Sequence, residues 1–380
     1  MKFVKLPDRV RTGVILKVIR TSYNKKASMK CLLTTITILT VTACRAQDTT
    51  KKGHLTLAGS VDAYYRYNFH NAKDSAKTNN YTSFTNSQNS FELGMASVKA
   101  DYNIGKVDGV VDLGFGRRAE EFSYNDSGIV AAVKQAYASF APSDKVKFTM
   151  GKWFTHVGYE VPDAYLNRNY SMDYMFSYGP FFHTGIKADV TVNGNFAFMV
   201  GIANPTDHTS ASFSGKNFLA QIHLTATNAK VNAYVNYVGG KDVSDAMVNQ
   251  FDVVATGTVS NKFSVGYNGS VKMVKPSGGS SNSWWASAVY LNFDPSTVFG
   301  LTGRAEYFDD EHAIANIGGF GENKIFDFTL SGNIRIDNLT IIPEFRMDVA
   351  EESIFFKNTD GAFPTAKNTS TVILAAAYHF

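Results

Sequence analysis

Residues Asn323–Asp337 read NKIFDFTLSGNIRID and alternate apolar with polar side chains. Successive side chains of a β-strand point to opposite faces, so this pattern predicts a strand with one apolar face and one polar face. Leu339–Val349 repeats the alternation directly after Asp337-Asn338, a pair with the chemistry of a tight turn. The two segments together predict an antiparallel hairpin.

The same period of two recurs from His54 to the C-terminus. Most candidate strands have ten or more residues, whereas strands of globular proteins average about five or six. A tilted strand needs about 9–11 residues to cross a membrane. Alternation is weakest in the second, fourth and twelfth candidates, which predicts either β-bulges or errors in the assigned register there. We predict sixteen strands, near residues 54–69, 89–103, 107–118, 129–141, 145–154, 181–192, 195–203, 217–228, 230–238, 250–260, 262–274, 283–293, 297–308, 323–336, 338–350 and 370–380.

The connections between these strands alternate between short and long. The long, polar ones are predicted at 70–88, 119–128, 155–180, 204–216, 239–249, 275–282, 309–322 and 351–369. A soluble β-sandwich gives no reason for such a rule, whereas a membrane barrel has short periplasmic turns and long extracellular loops. We therefore predict an all-β fold, a transmembrane antiparallel up-and-down β-barrel of about sixteen strands.

Aromatic residues near the predicted strand ends agree with a membrane barrel. Such barrels place girdles of aromatic side chains at the two membrane interfaces. The residues expected there are Trp153, Phe154, Phe181, Phe182, Trp284, Trp285, Phe293 and Phe308.

The N-terminal segment has the pattern of a secretory signal. A lysine-rich stretch ending at Lys30 precedes the apolar run Cys31–Ala43, which is too short to span a bilayer. Cys44-Arg45-Ala46 then offers a small-x-small cleavage site. We predict a signal peptide over residues 1–46.

Two features of this segment leave alternatives open. Met29 stands at the natural start of a signal peptide, so residues 1–28 can be a misassigned upstream start. The sequence before Cys44 also resembles a lipobox, although a lipid anchor adds little to a chain that already spans the membrane. The remaining residues, 47–380, are predicted to form a single barrel domain.

Charge and composition exclude several function classes. The net charge of +4 arises from ten basic residues within 1–46, and the remainder has 27 basic and 32 acidic residues. That balance excludes a basic nucleic-acid surface. Both cysteines lie within 1–46, so the mature chain has neither a disulfide nor a thiolate metal site. The sequence has no HExxH, Walker or dinucleotide motif, and we predict neither an enzyme nor a cofactor.

Residues Gly151–Gly185 contain the sharpest motifs of the chain. These are Gly151–Glu160 (GKWFTHVGYE), Asn167–Ser171 (NRNYS) and Gly179–Gly185 (GPFFHTG), and Asp62–Tyr65 and Gln135–Tyr137 fit the same pattern. The sequence resembles the OmpL-like β-barrel porins of Bacteroidetes and some Proteobacteria. The resemblance covers nearly the whole mature chain and implies a pore-forming protein in the outer membrane of a Gram-negative bacterium. It implies no catalytic residues.

The last strand adds independent support. Apolar side chains alternate from Val372 to Tyr378, and the chain ends on Phe380. This ending resembles the terminal signal of bacterial outer-membrane proteins, which implies recognition by the barrel-assembly machinery and contact with outer-membrane lipid. General porins are often trimers, so a homotrimer is expected by analogy alone. No nucleic-acid partner is expected.

The 155–180 loop is the main candidate site. It follows the fifth strand, where general porins fold a segment inward to narrow the channel. Glu160, Asp163, Arg168 and Asp173 would then set up a transverse field that affects ion preference. The alternative is an outward aromatic loop that contacts a partner or a surface glycan.

Charged residues on the polar faces of the strands are the other candidates. Acids and bases are nearly balanced among them, so strong ion selectivity is not predicted. The alternative is that they form ion pairs that stiffen the wall. The candidates are Asp62, Arg66, Lys187, Asp189, Lys272, Arg304, Glu306, Asp327, Arg335, Glu344 and Arg346.

A sixteen-stranded barrel leaves an aqueous lumen, whereas an eight-stranded one is filled by side chains. We therefore predict a porin for the passive diffusion of small hydrophilic solutes and ions. The alternative is a barrel whose surface loops serve adhesion or assembly without significant conduction.

Overall fold

A computed structural model describes residues 52–70 and 78–380, so the predicted signal peptide lies outside the described residues. Sixteen antiparallel strands form one closed barrel, in which each strand pairs with its sequence neighbours and β1 pairs with β16. This confirms the predicted architecture and strand number. The strands are β1 His54–Asn68, β2 Ser90–Ile104, β3 Val107–Phe115, β4 Val133–Ser143, β5 Val146–Phe154, β6 Phe182–Asn193, β7 Phe196–Ala203, β8 Asn217–Thr225, β9 Val231–Lys241, β10 Met247–Ser260, β11 Phe263–Lys275, β12 Asn282–Phe293, β13 Phe299–Asp310, β14 Asn323–Ile336, β15 Leu339–Ala350 and β16 Asn368–His379.

The apolar faces of the strands point outward and the polar faces point into the lumen. In β1, Leu57 is 61% exposed on the outside, whereas Asp62 is 2% exposed inside. In β14, Phe326 is exposed and Asp327 is fully buried. A soluble protein buries its apolar faces, so this arrangement suits a lipid surround.

The two ends of the barrel differ. We call the end with the short connections the turn end and the opposite end the loop end. At the turn end, where β1 begins at His54 and β16 ends at His379, the connections have two to five residues. At the loop end they are longer, with one correction to the predicted pattern. Strands β9 and β10 extend further than expected, and their connection 242–246 is no longer than the turns 226–230 and 294–298.

Two predicted strands were too long at the loop end. The third strand ends at Phe115, and helix α1, Arg117–Phe122, follows it. The fourth strand begins at Val133, after a 3₁₀ helix at Gly128–Ala132. The other helices are α2, Tyr174–Tyr178, and 3₁₀ turns at Ala164–Leu166 and Ile317–Gly319. None of the helices within the described ranges is long and apolar enough to cross a membrane.

The irregular alternation of β2 and β4 comes from bulges, as predicted. In β2, Gly94 is an extra residue between Leu93 and Met95, which face consecutive residues of β1. In β4, Lys134 is the extra residue opposite β3. The twelfth strand shows no register shift against either neighbour, so the prediction of a bulge there was wrong.

The predicted aromatic girdles are only partly present. Trp285 and Phe293 are exposed on the outer surface. Phe154 is half-buried and packs with an interior cluster. The remaining residues lie on lumen-facing positions or in a loop, where they pack inside the barrel: Trp153, Phe181, Phe182, Trp284 and Phe308.

Candidate pore constriction

Residues 155–181, which join β5 to β6, lie inside the barrel, and we call them the inward loop. The alternative of an outward loop is therefore wrong. Residues on β1, β4 and β8–β16 bond to the loop or stack against it, so it meets the wall on most sides. They are Asp62, Lys134, Gln221, Tyr237, Asp252, Asn268, Tyr290, Arg304, Asn333, Glu344 and His379.

The start of the inward loop is fixed to β9–β11. The imidazole of His156 donates from Nε2 to a main-chain carbonyl of β9 at 3.1 Å. The N–H of Gly158 donates to Asp252 (3.1 Å) and that of Tyr159 to Asn268 (3.0 Å). Burial lowers the pKa of His156 to about 4, so this side chain is neutral at pH 7.

The loop then descends to the turn end of the barrel. The ring of Tyr165 stacks on His379, with ring centroids 4.9 Å apart. Arg168 binds Asp294, the first residue of the turn between β12 and β13, through two hydrogen bonds of 3.1 and 2.9 Å. Arg335 binds the same carboxylate at 2.8 Å. The loop therefore extends along the length of the lumen.

On its way back, wall carboxylates bind the main chain of the loop. Glu344 accepts the N–H groups of Tyr170 (2.6 Å) and Ser171 (3.0 Å). Glu306 accepts the first two N–H groups of α2, at 2.7 and 2.8 Å. The first N–H groups of a helix have no partner within the helix, so this carboxylate satisfies two of them.

Wall cations and an amide bind the carbonyl groups of the same segment. Arg304 donates to the carbonyl of Ser171 (2.7 Å), and Arg346 donates to the next carbonyl along the chain (2.6 Å). Asn333 donates to the carbonyl of Arg168 (3.1 Å). We call this set of wall side chains on β13–β15 the cradle: Arg304, Glu306, Asn333, Glu344 and Arg346.

Two tyrosine side chains of the loop reach wall carboxylates. The hydroxyl of Tyr170 donates to Asp62 (2.6 Å), and that of Tyr174 donates to Asp348 (3.0 Å). The bulge residue Gly94 leaves room for the first contact, because a Cβ there would lie 1.8 Å from the Asp62 carboxylate. The bulge in β2 therefore allows Tyr170 of the inward loop to reach Asp62.

Buried charges lie where the loop meets the cradle. Arg304 pairs with Glu160 of the loop (2.6 Å) and with Asp327 (2.8 Å), and Arg346 also pairs with Asp327 (2.8 Å). Burial and the neighbouring Asp173 carboxyl raise the pKa of Glu160 to about 8. Buried ion pairs of this kind fix a geometry, because removal of one partner leaves a buried charge unpaired.

Other loops cover the loop end. A cluster of mostly aromatic side chains joins residues 78–89, α1 and the inward loop, with members Phe84, Phe122, Met172, Phe176, Phe181 and Phe182. A second cluster joins α2 to loops 311–322 and 351–367 through Tyr174, Met175, Ile317, Ile354 and Phe355. Asp207, in loop 204–216, accepts the N–H groups of Phe181 and Phe182 (2.7 and 2.9 Å).

The predicted site residues divide into two groups. Each of the sixteen strands has at least one buried side chain on its lumen face. Arg66 donates to the main-chain carbonyls of Thr78 and Ser87, which lie between β1 and β2. Lys272 donates to the carbonyl of Tyr178, in the inward loop. Ten predicted residues are buried: Asp62, Arg66, Glu160, Asp163, Asp173, Arg304, Glu306, Asp327, Glu344 and Arg346.

The other five predicted residues are partly open to solvent: Lys272 lies near the loop end, whereas Arg168, Lys187, Asp189 and Arg335 lie nearer the turn end. Lys187 and Asp189 form an ion pair at 3.1 Å with side-chain exposures of 20% and 35%. On the neighbouring strands, His223 stacks on Tyr234 at 4.2 Å. We call this half-exposed polar wall of β6–β9 the vestibule: Lys187, Asp189, His223 and Tyr234.

Sequence reasoning missed several residues that hold the loop. Arg118 lies in α1 and pairs with Asp62 (3.6 Å), and Lys134, at the β4 bulge, pairs with Asp163 (2.5 Å). Strand alternation places neither of them, because a helix and a bulge each break the period of two. Asp348, in contrast, shares the inward face of β15, and the alternation of that strand already places it there. In the described part of the chain, no group of three or more His, Cys, Asp or Glu could hold a metal ion.

The fold is similar to those of solved outer-membrane proteins. The neighbours include a loop-L8 deletion variant of OmpT of Vibrio cholerae (TM-score 0.61, 12% identity, 86% of this chain and 99% of that one). The outer membrane channel DcaP of Acinetobacter baumannii gives 0.58 and 13%, over 86% and 97%. The anion-selective porin from Comamonas acidovorans gives 0.56 and 11%, over 87% and 100%. At these identities the likeness shows the fold alone. No curated protein sequence matches the chain.

The family comparison is more specific. Residues 54–380 match the family described as "Putative beta-barrel porin-2, OmpL-like", which covers the whole barrel and the inward loop. This confirms the resemblance seen in Gly151–Gly185. The chain belongs to the OmpL-like β-barrel porins and is a channel for small solutes in the outer membrane of a Gram-negative bacterium.

Proposed function

We propose that small hydrophilic solutes and ions cross this barrel by passive diffusion through a narrow path between the inward loop and the vestibule. The observation that supports this most directly is the course of the loop, which meets the Asp294 turn at the opposite end of the barrel. A loop that extends along the lumen restricts the whole path, so we expect a small conductance and a low size limit.

The predicted site residues take two roles in this proposal. The buried ones hold the inward loop against β13–β16 and β1 and, while the loop is in place, do not line the diffusion path. The partly exposed ones line the path, with Lys187 opposed by Asp189, and Arg168 and Arg335 opposed by Asp294. Because cations and anions alternate there, we expect weak ion selectivity.

Purified protein in planar lipid bilayers tests the function. We expect small, stable current steps in potassium chloride, together with slow swelling of proteoliposomes in small sugars and none in large ones. A barrel that stays silent at every voltage, while folded by heat-modifiability on gels, would rule out diffusion.

Other expectations belong to the same proposal. We propose that residues 1–46 are removed on secretion, which N-terminal sequencing of the mature protein tests. We also propose that the chain has no catalytic activity. The exposed C-terminal Phe380 is proposed as the contact for the barrel-assembly machinery, and its deletion should lower insertion into the outer membrane.

A homotrimer in outer-membrane lipid is proposed by analogy, since OmpT of Vibrio cholerae has been solved in a trimer form. An apolar depression on the outer wall, lined by Ala63, Phe91, Leu93, Leu374 and Ala376, would accept a neighbouring subunit. Native mass spectrometry in lipid nanodiscs distinguishes a trimer from a monomer.

The alternative function, adhesion by surface loops, has one observation in its favour. Phe213 is fully exposed and Phe363 is 80% exposed, both in long loops at the extracellular end. Single exposed aromatics are common on protein surfaces, so this is weaker support than the inward loop. Binding of cells to immobilised protein, lost in Phe213→Ser and Phe363→Ser, would favour adhesion.

A further inference from the structure

The cradle contacts the main chain of the inward loop more than its side chains. Between Arg168 and Met175, seven main-chain N–H or carbonyl groups bond to wall side chains of β13–β15. Every peptide has such groups, whatever its sequence. The cradle therefore has the donors and acceptors of a peptide-backbone site.

Two carboxylates of the cradle have no ion-pair partner among the described residues. Glu306 accepts hydrogen bonds only from the N–H groups that open α2. Glu344 accepts two loop N–H groups and the hydroxyl of Ser331 (2.7 Å). A buried carboxylate is stable only with donors in place, and here main-chain N–H groups supply them. These two side chains therefore bind peptide N–H groups and do not form an ion pair within the wall.

Two tyrosine side chains of the loop, Tyr170 and Tyr174, add contacts to those of the main chain. The ring of Tyr170 lies beneath the guanidinium of Arg118 (4.9 Å), with its hydroxyl on Asp62. The ring of Tyr174 lies beneath that of Arg346 (5.3 Å), with its hydroxyl on a carboxylate of the same strand. Each position combines a cation over an aromatic face with an acceptor for the hydroxyl. The site therefore favours tyrosines spaced four residues apart.

We propose that the cradle is a peptide-binding site, that the inward loop occupies it as an intramolecular competitor, and that the solutes it binds are oligopeptides with aromatic residues four positions apart. The proposal rests on the channel function, because a peptide reaches the cradle only through the lumen. It adds a substrate class to that function and assigns the residues that recognise it.

The test uses a variant in which residues 160–178 are replaced by a glycine-serine linker, and the synthetic peptide NRNYSMDYMF, which copies residues 167–176. Added to a bilayer that contains this variant, the peptide should block the current reversibly. A matched peptide, N-methylated at the positions of Ser171 and Met175, lacks two of the N–H donors. It should block at least about tenfold more weakly, because hydrogen bonds to charged groups are the strong ones. Equal block by both peptides would overturn the proposal.

A wall variant gives the complementary measurement. Glu306→Gln with Glu344→Gln, in the linker background, replaces one acceptor oxygen of each carboxylate by a donor. The unmodified peptide should then block at least about tenfold more weakly, and unchanged block would contradict the assignment of the cradle.

A third measurement uses the full-length chain and does not depend on folding of the linker variant. Labelled NRNYSMDYMF should bind the detergent-solubilised Tyr170→Phe, Tyr174→Phe variant more tightly than the wild type, because its own loop competes less well. Equal binding to both proteins would overturn the proposal. Currents from the linker variant without peptide test the channel function separately. Silence there contradicts the channel function, whereas currents unaffected by peptide contradict only the peptide site.

Discussion

Arg168 and Asp294 form a two-point ion pair, Nη1 to Oδ2 at 3.1 Å and Nη2 to Oδ1 at 2.9 Å. Arg168 belongs to the inward loop, which starts at the extracellular end of the barrel, and Asp294 begins a periplasmic turn. Bidentate pairs of arginine and carboxylate add geometric specificity to their energy. The pair therefore fixes the tip of the loop at the far end of the lumen, so the loop extends along the length of the barrel.

Replacement of residues 160–178 by a glycine-serine linker should raise single-channel conductance several-fold. The inward loop, to which the removed segment belongs, lies inside the barrel and contacts β1, β4 and β8–β16. Bilayer recordings of wild type and variant in the same salt measure the change. The linker variant of loop 242–246, which lies outside the lumen, serves as the control. Unchanged conductance in the first variant would mean that the loop does not restrict the path.

Substitution Arg304→Met should lower the free energy of unfolding by roughly 3–5 kcal/mol, because it removes one of the two arginines that pair with the buried Asp327 carboxylate and leaves Glu160 without this hydrogen-bond donor. The control is Lys241→Met, whose pair with Asp245 is exposed. It should change the free energy by less than about 1 kcal/mol. Denaturant unfolding in lipid vesicles measures both, and similar values would contradict a structural role for Arg304.

Substitution Arg168→Met should have little effect on stability, since its ion pair with Asp294 is partly exposed to solvent and such pairs contribute about 0–1 kcal/mol. It should nevertheless release the tip of the inward loop and increase current noise and brief openings to higher conductance. Asp294→Asn should act in the same direction. Quiet traces from both variants would show that other contacts hold the tip.

Stability should fall as the pH rises from about 4.5 to about 8, through Glu160. Its pKa is about 8 in the folded chain against the usual 4.5 of a glutamate, so in this window the folded state binds more protons than the unfolded state. The contribution is fully present below pH 4.5 and is lost as the pH passes through 8. Unfolding at pH 5 and pH 9 should show the difference in wild type, and Glu160→Gln should reduce it. An identical pH dependence in the variant would contradict the assignment.

The vestibule should set what ion preference the channel has. Lys187→Gln removes a cation from the path and should shift the reversal potential in a salt gradient towards cation preference, whereas Asp189→Asn should shift it towards anions. Both side chains are partly exposed, so the barrel should stay folded. Shifts of the same sign, or none, would place the ion path elsewhere.

The sequence alone determined the barrel. Alternation along Asn323–Asp337 and its counterparts depends only on neighbouring residues, because the period of a strand is local. It gave the strand number and the inward face of each strand, and it marked the irregular β2 and β4. It failed at 116–118 and 129–132, where a helix and a 3₁₀ turn replace the predicted strand ends, and beside 242–246, where two strands extend further than their alternation indicated.

Only the tertiary structure decided what the inward face does. Whether Glu306 and Glu344 line water or bind a loop depends on contacts between residues far apart in the chain, such as Tyr170 N–H to Glu344 at 2.6 Å. No local pattern encodes them. The sequence identified Gly151–Gly185 as unusual, and the structure showed why. Its main chain satisfies buried charged groups on the opposite wall, and a buried charge without such partners would be too unstable to persist.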